Sequence, residues 1–141
     1  MKKQTLLLAT LCLSLGFAAV PAQAQTGGVK VKVPFNFVVA DRTLPEGEYL
    51  IASAKDKVFV QNAHGKTLAM VLSNAVSGRA VARTGQVVFQ CYDQHCFLAE
   101  LWSPTQDAGR QLLKCQWEKE VAKRETAKYF ALIGAADNHQ R

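Results

Sequence analysis

The chain of 141 residues has little in it that identifies a function. It has no internal repeat, no low-complexity tract and no motif typical of a catalytic centre, a cofactor site or a nucleic-acid-binding module. The formal net charge is +6, but the positive charges between residues 30 and 79 alternate with apolar positions and form no cluster. This scatter is typical of a solvated face, so no nucleic-acid partner is expected.

A hydrophobic run long enough to span a membrane is also missing. The apolar stretch over residues 6–20 is interrupted by Ser14 and Gly16, and it is shorter than the roughly 20 residues that cross a bilayer as a helix. Two lysines precede this stretch and Ala22-Gln23-Ala24 follows it, which is the pattern of a secretory signal peptide. We therefore expect residues 1–24 to be removed on export, leaving a periplasmic or secreted protein with no membrane span after signal cleavage.

The remaining length suits one domain. Residues 25–28 are small or polar and predict a flexible lead. Residues 29–125 are expected to form a single β-rich domain that includes a C-terminal helix, and residues 126–141 are expected to form a tail.

Alternating apolar and polar residues predict most of this domain to be β-structure. Every odd position over residues 29–39 is Val or Phe, which is typical of a strand with one buried face. Pro34 lies on the opposite face and donates no hydrogen bond, so an edge strand or a bulge is expected there. Residues 41–48 have the composition of a turn, and residues 49–54 predict the next strand.

Two β-hairpins are predicted from apolar segments that short polar connections separate. The first hairpin joins residues 58–61 to residues 67–72. The second joins residues 87–92 to residues 96–102.

A change of period after Gly109 predicts an amphipathic helix. Lys114 and Glu118 are spaced as a charge pair on this helix. Its apolar positions recur at every fourth residue and are Leu113, Trp117 and Val121.

Successive strands with short turns favour an antiparallel meander. The expected fold is all-β, a small antiparallel barrel or sandwich of about six to seven strands with one C-terminal amphipathic helix. Residues 129–133 fit either a short closing strand or an extension of that helix.

Two motifs resemble a group of short secreted proteins that is common in environmental bacteria. They are Val33-Pro-Phe-Asn-Phe-Val-Val39 and Leu44-Pro-Glu-Gly-Glu-Tyr49, which match the group's VPFxFxV and LPxGxY patterns. The resemblance covers most of the chain after the signal and implies an all-β secreted domain. The group has no assigned activity, so the resemblance implies no functional residues. Its second hairpin often turns at a glycine, whereas this chain has Asp93-Gln94-His95 there.

That second hairpin contains two of the three cysteines expected in the mature protein, and Cys115 is the third. A two-residue turn would place Cys91 opposite Cys96, where a disulfide bond can form in an oxidising compartment. A three-residue turn instead places Phe97 and Ala99 on the apolar face and turns Cys96 away from it. A β-bulge would reconcile the two registers. The cysteines could also bridge through Cys115 or stay as free thiols.

The same residues bear on metal binding and catalysis. Cys91, His95 and Cys96, with His64 or Cys115, would supply sulfur and nitrogen ligands, but their spacing matches no common zinc motif. A Cys-His nucleophile needs a lowered thiol pKa and a third, orienting group, and the sequence identifies neither. We therefore expect no metal, no cofactor, no catalytic residue and no enzymatic activity.

These observations predict a non-enzymatic binding domain or an envelope-associated structural protein with a protein or envelope partner. Residues 73–86 lack a periodic pattern, and a loop of this length often makes contacts, so Arg79 and Arg83 are the candidate contact residues. Two further hypotheses are a barrel that carries a small apolar ligand in an inner cavity and an enzyme that uses Cys91, His95 and Cys96.

Overall fold

A computed structural model describes residues 27–77 and 84–136, which form ten strands and one helix. The strands and the helix, in chain order, are β1 (Gly27–Val33), β2 (Phe37–Val39), β3 (Arg42–Leu44), β4 (Gly47–Ala54), β5 (Lys57–Asn62), β6 (Thr67–Val76), β7 (Gly85–Tyr92), β8 (His95–Trp102), β9 (Gly109–Leu112), α1 (Gln116–Ala122) and β10 (Lys128–Ala136). Both predicted hairpins are formed, as β5–β6 and β7–β8.

Eight of these strands close into an antiparallel barrel. Their order around the barrel is β1-β4-β5-β6-β9-β8-β7-β10, and β10 pairs with β1 to complete the circle. The predicted all-β fold is confirmed, and it is a closed barrel and not a sandwich. The expected six to seven strands are too few, because the sequence pattern merges β1 and β2 into one strand, does not indicate the short strands β3 and β9, and leaves the last strand β10 undecided.

The interior of the barrel is filled by one apolar cluster. Alternate residues of β1, β4, β5 and β7 point inward, as period-two patterning requires. Phe37 stands between the rings of Tyr49 and Phe89, with centroid distances of 5.1 and 5.4 Å and edge-to-face geometry. The inward side chains that are 0% exposed are Val29, Phe37, Ile51, Val58, Val60, Val87 and Phe89.

The predicted strand over residues 29–39 is broken in two. Pro34 follows the last residue of β1 and has no N–H for the ladder, so the strand ends there and pairing resumes at Phe37. Strands β2 and β3 then form a small hairpin, turning through Ala40 and Asp41, which have φ of 50° and 60°. Strand β2 runs parallel to β8, with Val38 opposite Phe97.

Residues 109–112 form strand β9, in the segment where the change of period predicts the start of the helix. This strand pairs with both β6 and β8 and fills the wall between them. Gly109 lies against the Trp102 ring, where a Cβ atom would come within 2.6 Å of ring carbon. Because residues 109–112 pair with β6 and β8, they are strand and not helix, and α1 has only seven residues.

The last described residues complete the barrel, so the expectation of a tail over residues 126–141 is wrong for this part of the chain. Strand β10 pairs with β7 from Lys128 to Gly134 and with β1 near Ala136. Gly134 makes the close approach to β1 feasible, because a Cβ atom there would meet the Val29 side chain at 2.6 Å. Residues 129–133 thus form a strand and not a helix extension, and β1 begins at Gly27, within the expected flexible lead.

Two predictions fall on residues that the structure does not describe. The signal peptide, residues 1–24, and the contact residues Arg79 and Arg83 lie outside the described ranges. Within those ranges, no helix has the length and apolar character needed to cross a membrane.

Candidate functional site

The second hairpin is closed by a disulfide bond between Cys91 and Cys96. The two residues are directly paired across β7 and β8, with Cα atoms 4.0 Å apart. Asp93 and Gln94 form the two-residue turn, and Asp93 has a positive φ of 43°. The Cys91–Cys96 bridge is therefore the pairing that forms, and Cys115 is a free thiol.

A bulge at Ala99 reconciles this bridge with the apolar pattern of the hairpin. Val88 is opposite Glu100 and Phe89 is opposite Leu98, so Ala99 is the extra residue of β8. The bulge turns Leu98 into the barrel and sends Phe97 to the outer face. The register that places Phe97 and Ala99 on the inner face is therefore wrong.

The bridge also bears on the metal-binding and nucleophilic roles considered for Cys91 and Cys96. While bonded to each other, the two sulfurs act neither as thiolate nucleophiles nor as metal ligands. His95 is exposed, and its ring lies edge-on against that of Trp117 of α1 at a centroid distance of 5.1 Å. His64 lies in the turn between β5 and β6. Within residues 27–77 and 84–136, no three His, Cys, Asp or Glu side chains are grouped to hold a metal ion.

Helix α1 covers the outer face of β7 and β8. Phe97 packs against the Trp117 ring at 5.3 Å and against Tyr92 at 5.8 Å, and Phe97 and Tyr92 are each 2% exposed. Val38 of β2 and Val121 of α1 belong to the same cluster. The apolar period of the helix thus serves an outer layer of the molecule, apart from the barrel interior.

A carboxyl group lies inside this layer. Glu118 is 5% exposed, and its Oε1 atom is buried without a hydrogen-bond partner in the described structure. Burial raises the pKa of Glu118, because the charged form loses hydration; the charge of Lys114 and a hydrogen bond with the Tyr92 side chain act in the opposite direction. The spacing to Lys114 indicates a surface charge pair, so the sequence gives no sign of this burial.

Cys115 lies beside Glu118 and caps the helix. Its Sγ atom accepts a hydrogen bond of 3.4 Å from the Glu118 amide. Burial raises the pKa of the Cys115 thiol, and the side chains of Asp41 and Glu118 raise it further, against the lowering effect of that amide. The thiol is therefore held in its protonated form and is not activated as a nucleophile.

A groove of about 610 Å³ lies along the outer wall where β1, β4 and β5 are adjacent. Lys30 and Leu50 are cross-strand partners, as are Lys32 and Glu48, and Gln61 is paired with Leu50 on the far side. The residues that line the groove therefore include two lysines, a leucine, a glutamate and a glutamine. The sequence pattern marks neither its residues nor those around Glu118 as site residues.

Comparisons with known protein families, with curated proteins and with solved structures found no match. The function is therefore inferred from the geometry of the barrel wall, the disulfide-bonded hairpin and the layer beneath α1.

Proposed function

We propose that the protein is an exported, non-enzymatic binding domain that holds its ligand on the outer wall of the barrel, in the groove across β1, β4 and β5. We further propose that it works in the periplasm or outside the cell, after loss of residues 1–24. The main support for a binding site on the outer wall is that the barrel interior is filled, whereas the outer wall has a groove of about 610 Å³.

The packed interior supports an external site. Inward-facing Val, Ile and Phe side chains occupy the space that a carrier of apolar ligands would keep open. A ligand inside the barrel would have to displace side chains such as Ile51 and Phe89, which are 0% exposed.

The chemistry of the groove suggests the class of ligand. Lys32 provides a positive charge opposite the carboxylate of Glu48, Lys30 provides another in the same lining, and Leu50 provides apolar surface opposite Lys30. Gln61 can both donate and accept hydrogen bonds. A ligand with an anionic group joined to an apolar part fits this arrangement, as would an acidic segment of an envelope protein.

The test is a titration of the nitrogen-15-labelled protein, purified from exporting cells, with decanoate, decanol, a short acidic peptide and phosphatidylglycerol vesicles. We expect an anionic probe to shift the resonances of Lys32, Leu50 and Gln61. Lys32→Gln should weaken its binding about tenfold, which corresponds to about 1.4 kcal/mol. Lys57→Gln is the matched control, because Lys57 is an exposed lysine on β5 that does not line the groove.

Two outcomes would overturn the proposal. The first is the absence of shifts in the groove with every probe. The second is a set of shifts at inward residues such as Val29 and Ile51 with decanol or decanoate, which would favour the internal carrier. An enzymatic function would instead require turnover of a substrate that is lost on substitution of Cys91 or His95.

The proposed location has its own test. N-terminal sequencing of the protein recovered from the periplasm or the medium should read from Gln25. Recovery only from the cytoplasm, with residues 1–24 attached, would contradict export.

A further inference from the structure

The most buried side chain of α1 is a glutamate, which is unusual for the face that attaches a helix to a protein. The helix has only seven residues, and its neighbouring charged side chains, Lys119 and Lys123, are exposed. Glu118 is 5% exposed, and its Oε1 atom has no partner in the described structure. An ionised carboxylate in this position would be poorly compensated.

The groups around Glu118 come from several elements. Lys114 and Cys115 precede the helix, and Tyr92 approaches from β7, with the Lys114 ammonium 3.3 Å from the Tyr92 hydroxyl. Asp41, in the β2–β3 turn, acts on Cys115. Glu118 lines a small cavity together with apolar residues of β2, β6, β8 and β9, which include Val38, Val71, Phe97, Leu98 and Leu112.

The exposed Lys114 is therefore the positive charge that acts on Glu118, while Asp41 acts on the neighbouring Cys115 thiol. His95 is on the same side of the barrel, but its ring contacts Trp117. Because the surroundings are mostly apolar, burial favours the protonated, neutral form of Glu118, against the opposing effects of Lys114 and the Tyr92 side chain.

We propose that α1 is a pH-sensitive clasp: ionisation of Glu118 loosens the helix from the barrel and exposes the apolar surface of Val38, Tyr92 and Phe97. The covered surface and the buried carboxyl belong to the same contact, so a change in one acts directly on the other. A protein outside the cytoplasm meets the pH of its surroundings, and the clasp would respond to it.

The direction in which pH changes the stability of the closed clasp follows from proton linkage. The pKa of Glu118 in the folded protein is raised above that of an unfolded glutamate, so the folded state holds the proton more tightly. The closed clasp is fully stabilised below the unfolded pKa of about 4.3. This stabilisation is lost as the pH rises through the raised pKa of the folded state.

The test is amide hydrogen exchange of the protein purified from exporting cells, with rates corrected for intrinsic base catalysis. Between about pH 4.5 and about pH 8, protection of the α1 amides should fall by up to about tenfold per pH unit within the titration window. Protection of the β4 and β5 amides should stay constant. Glu118→Gln should make the α1 protection independent of pH.

Glu120→Gln is the control, because Glu120 is a partly exposed residue of the same helix whose carboxylate pairs with Lys123 at 2.9 Å. It should leave the pH dependence unchanged. If Glu118→Gln folds poorly, Glu118→Leu removes the ionisable group without burying an amide. In a Trp102→Phe background, fluorescence from Trp117 reports the same opening independently.

The proposal fails if the wild-type protein and both Glu118 variants show the same pH profile for α1. It also fails if β4 and β5 lose protection together with α1 at the same pH, because Glu118 would then act on the stability of the whole barrel.

Discussion

The β5–β6 and β7–β8 hairpins of the barrel have similar inner faces and different outer faces. In β5–β6 the outer side chains Met70 and Leu72 are about half exposed, at 52% and 50%. In β7–β8 the outer side chains Tyr92 and Phe97 are 2% exposed, because α1 lies over them. The turns differ too, since a disulfide bond joins the strands beside one turn and an Asn side chain organises the other.

This difference separates two requirements that act on a barrel strand. The inner face must be apolar to fill the interior, and both hairpins meet that requirement. The outer face depends on what the rest of the chain places over it. A segment far along the chain therefore decides whether an outward-facing aromatic side chain belongs to a core.

The largest expected effect is in the shared interior. Phe89→Ala removes a ring that is 0% exposed and has edge-to-face contacts with Phe35 and Phe37 at 5.2 and 5.4 Å. We expect the free energy of unfolding to fall by about 4 to 5 kcal/mol, measured by urea denaturation. A loss below about 1.5 kcal/mol would mean that the interior repacks easily.

The next effect tests the outer layers against each other. Phe97→Ala should lower the free energy of unfolding by about 3 kcal/mol, because the ring is buried between α1 and the barrel. Phe59→Ala on β5 is the matched variant, since Phe59 faces outward from a half-buried position that α1 does not cover in the described structure, and it should cost about 1 kcal/mol. Equal losses would show that α1 contributes no buried core.

The covalent closure of β7–β8 is expected to contribute less than its packing. Replacing both Cys91 and Cys96 with Ala should lower the free energy of unfolding by about 2 kcal/mol, because the closed loop is short. Reduction of the wild-type protein should give a similar loss, whereas the same reductant should not affect the alanine variant. A loss of about 4 kcal/mol or more in the alanine variant would indicate that the bond maintains the register of β8.

Sequence patterns predict the two hairpins, the β4 strand and the all-β class, because these depend on local alternation and on turn residues. They do not predict β9, and they leave β10 undecided. Those strands lie in segments with weak alternation, and they form by pairing with barrel strands that are distant in sequence, β10 with β7 and β9 with β6. The period that predicts the helix holds at Trp117 and Val121, but pairing of residues 109–112 with β6 and β8 takes precedence at its start.

The site is less accessible to sequence reasoning than the fold. Spacing can place Cys91 opposite Cys96, but it leaves the register of the hairpin open until the bulge at Ala99 is known. Spacing also makes Lys114 and Glu118 a surface pair, although tertiary packing buries the Glu118 carboxyl. The outer groove joins the consecutive strands β4 and β5 to β1, which β2 and β3 separate from them along the chain, so no local motif indicates it.

The smallest expected effect is in the turn of β5–β6. There the Asn62 side chain holds the turn with hydrogen bonds, whereas a disulfide bond joins the strands beside the turn of β7–β8. The Oδ1 atom of Asn62 accepts hydrogen bonds of 3.0 Å from the amides of His64 and Lys66. Asn62→Ala should therefore lower the free energy of unfolding by about 1 kcal/mol, whereas Asn62→Asp retains an acceptor oxygen and should stay close to the wild-type value. If the two variants lose equal stability, these bonds do not contribute, and the β5–β6 turn depends on Gly65, whose φ of 78° favours glycine.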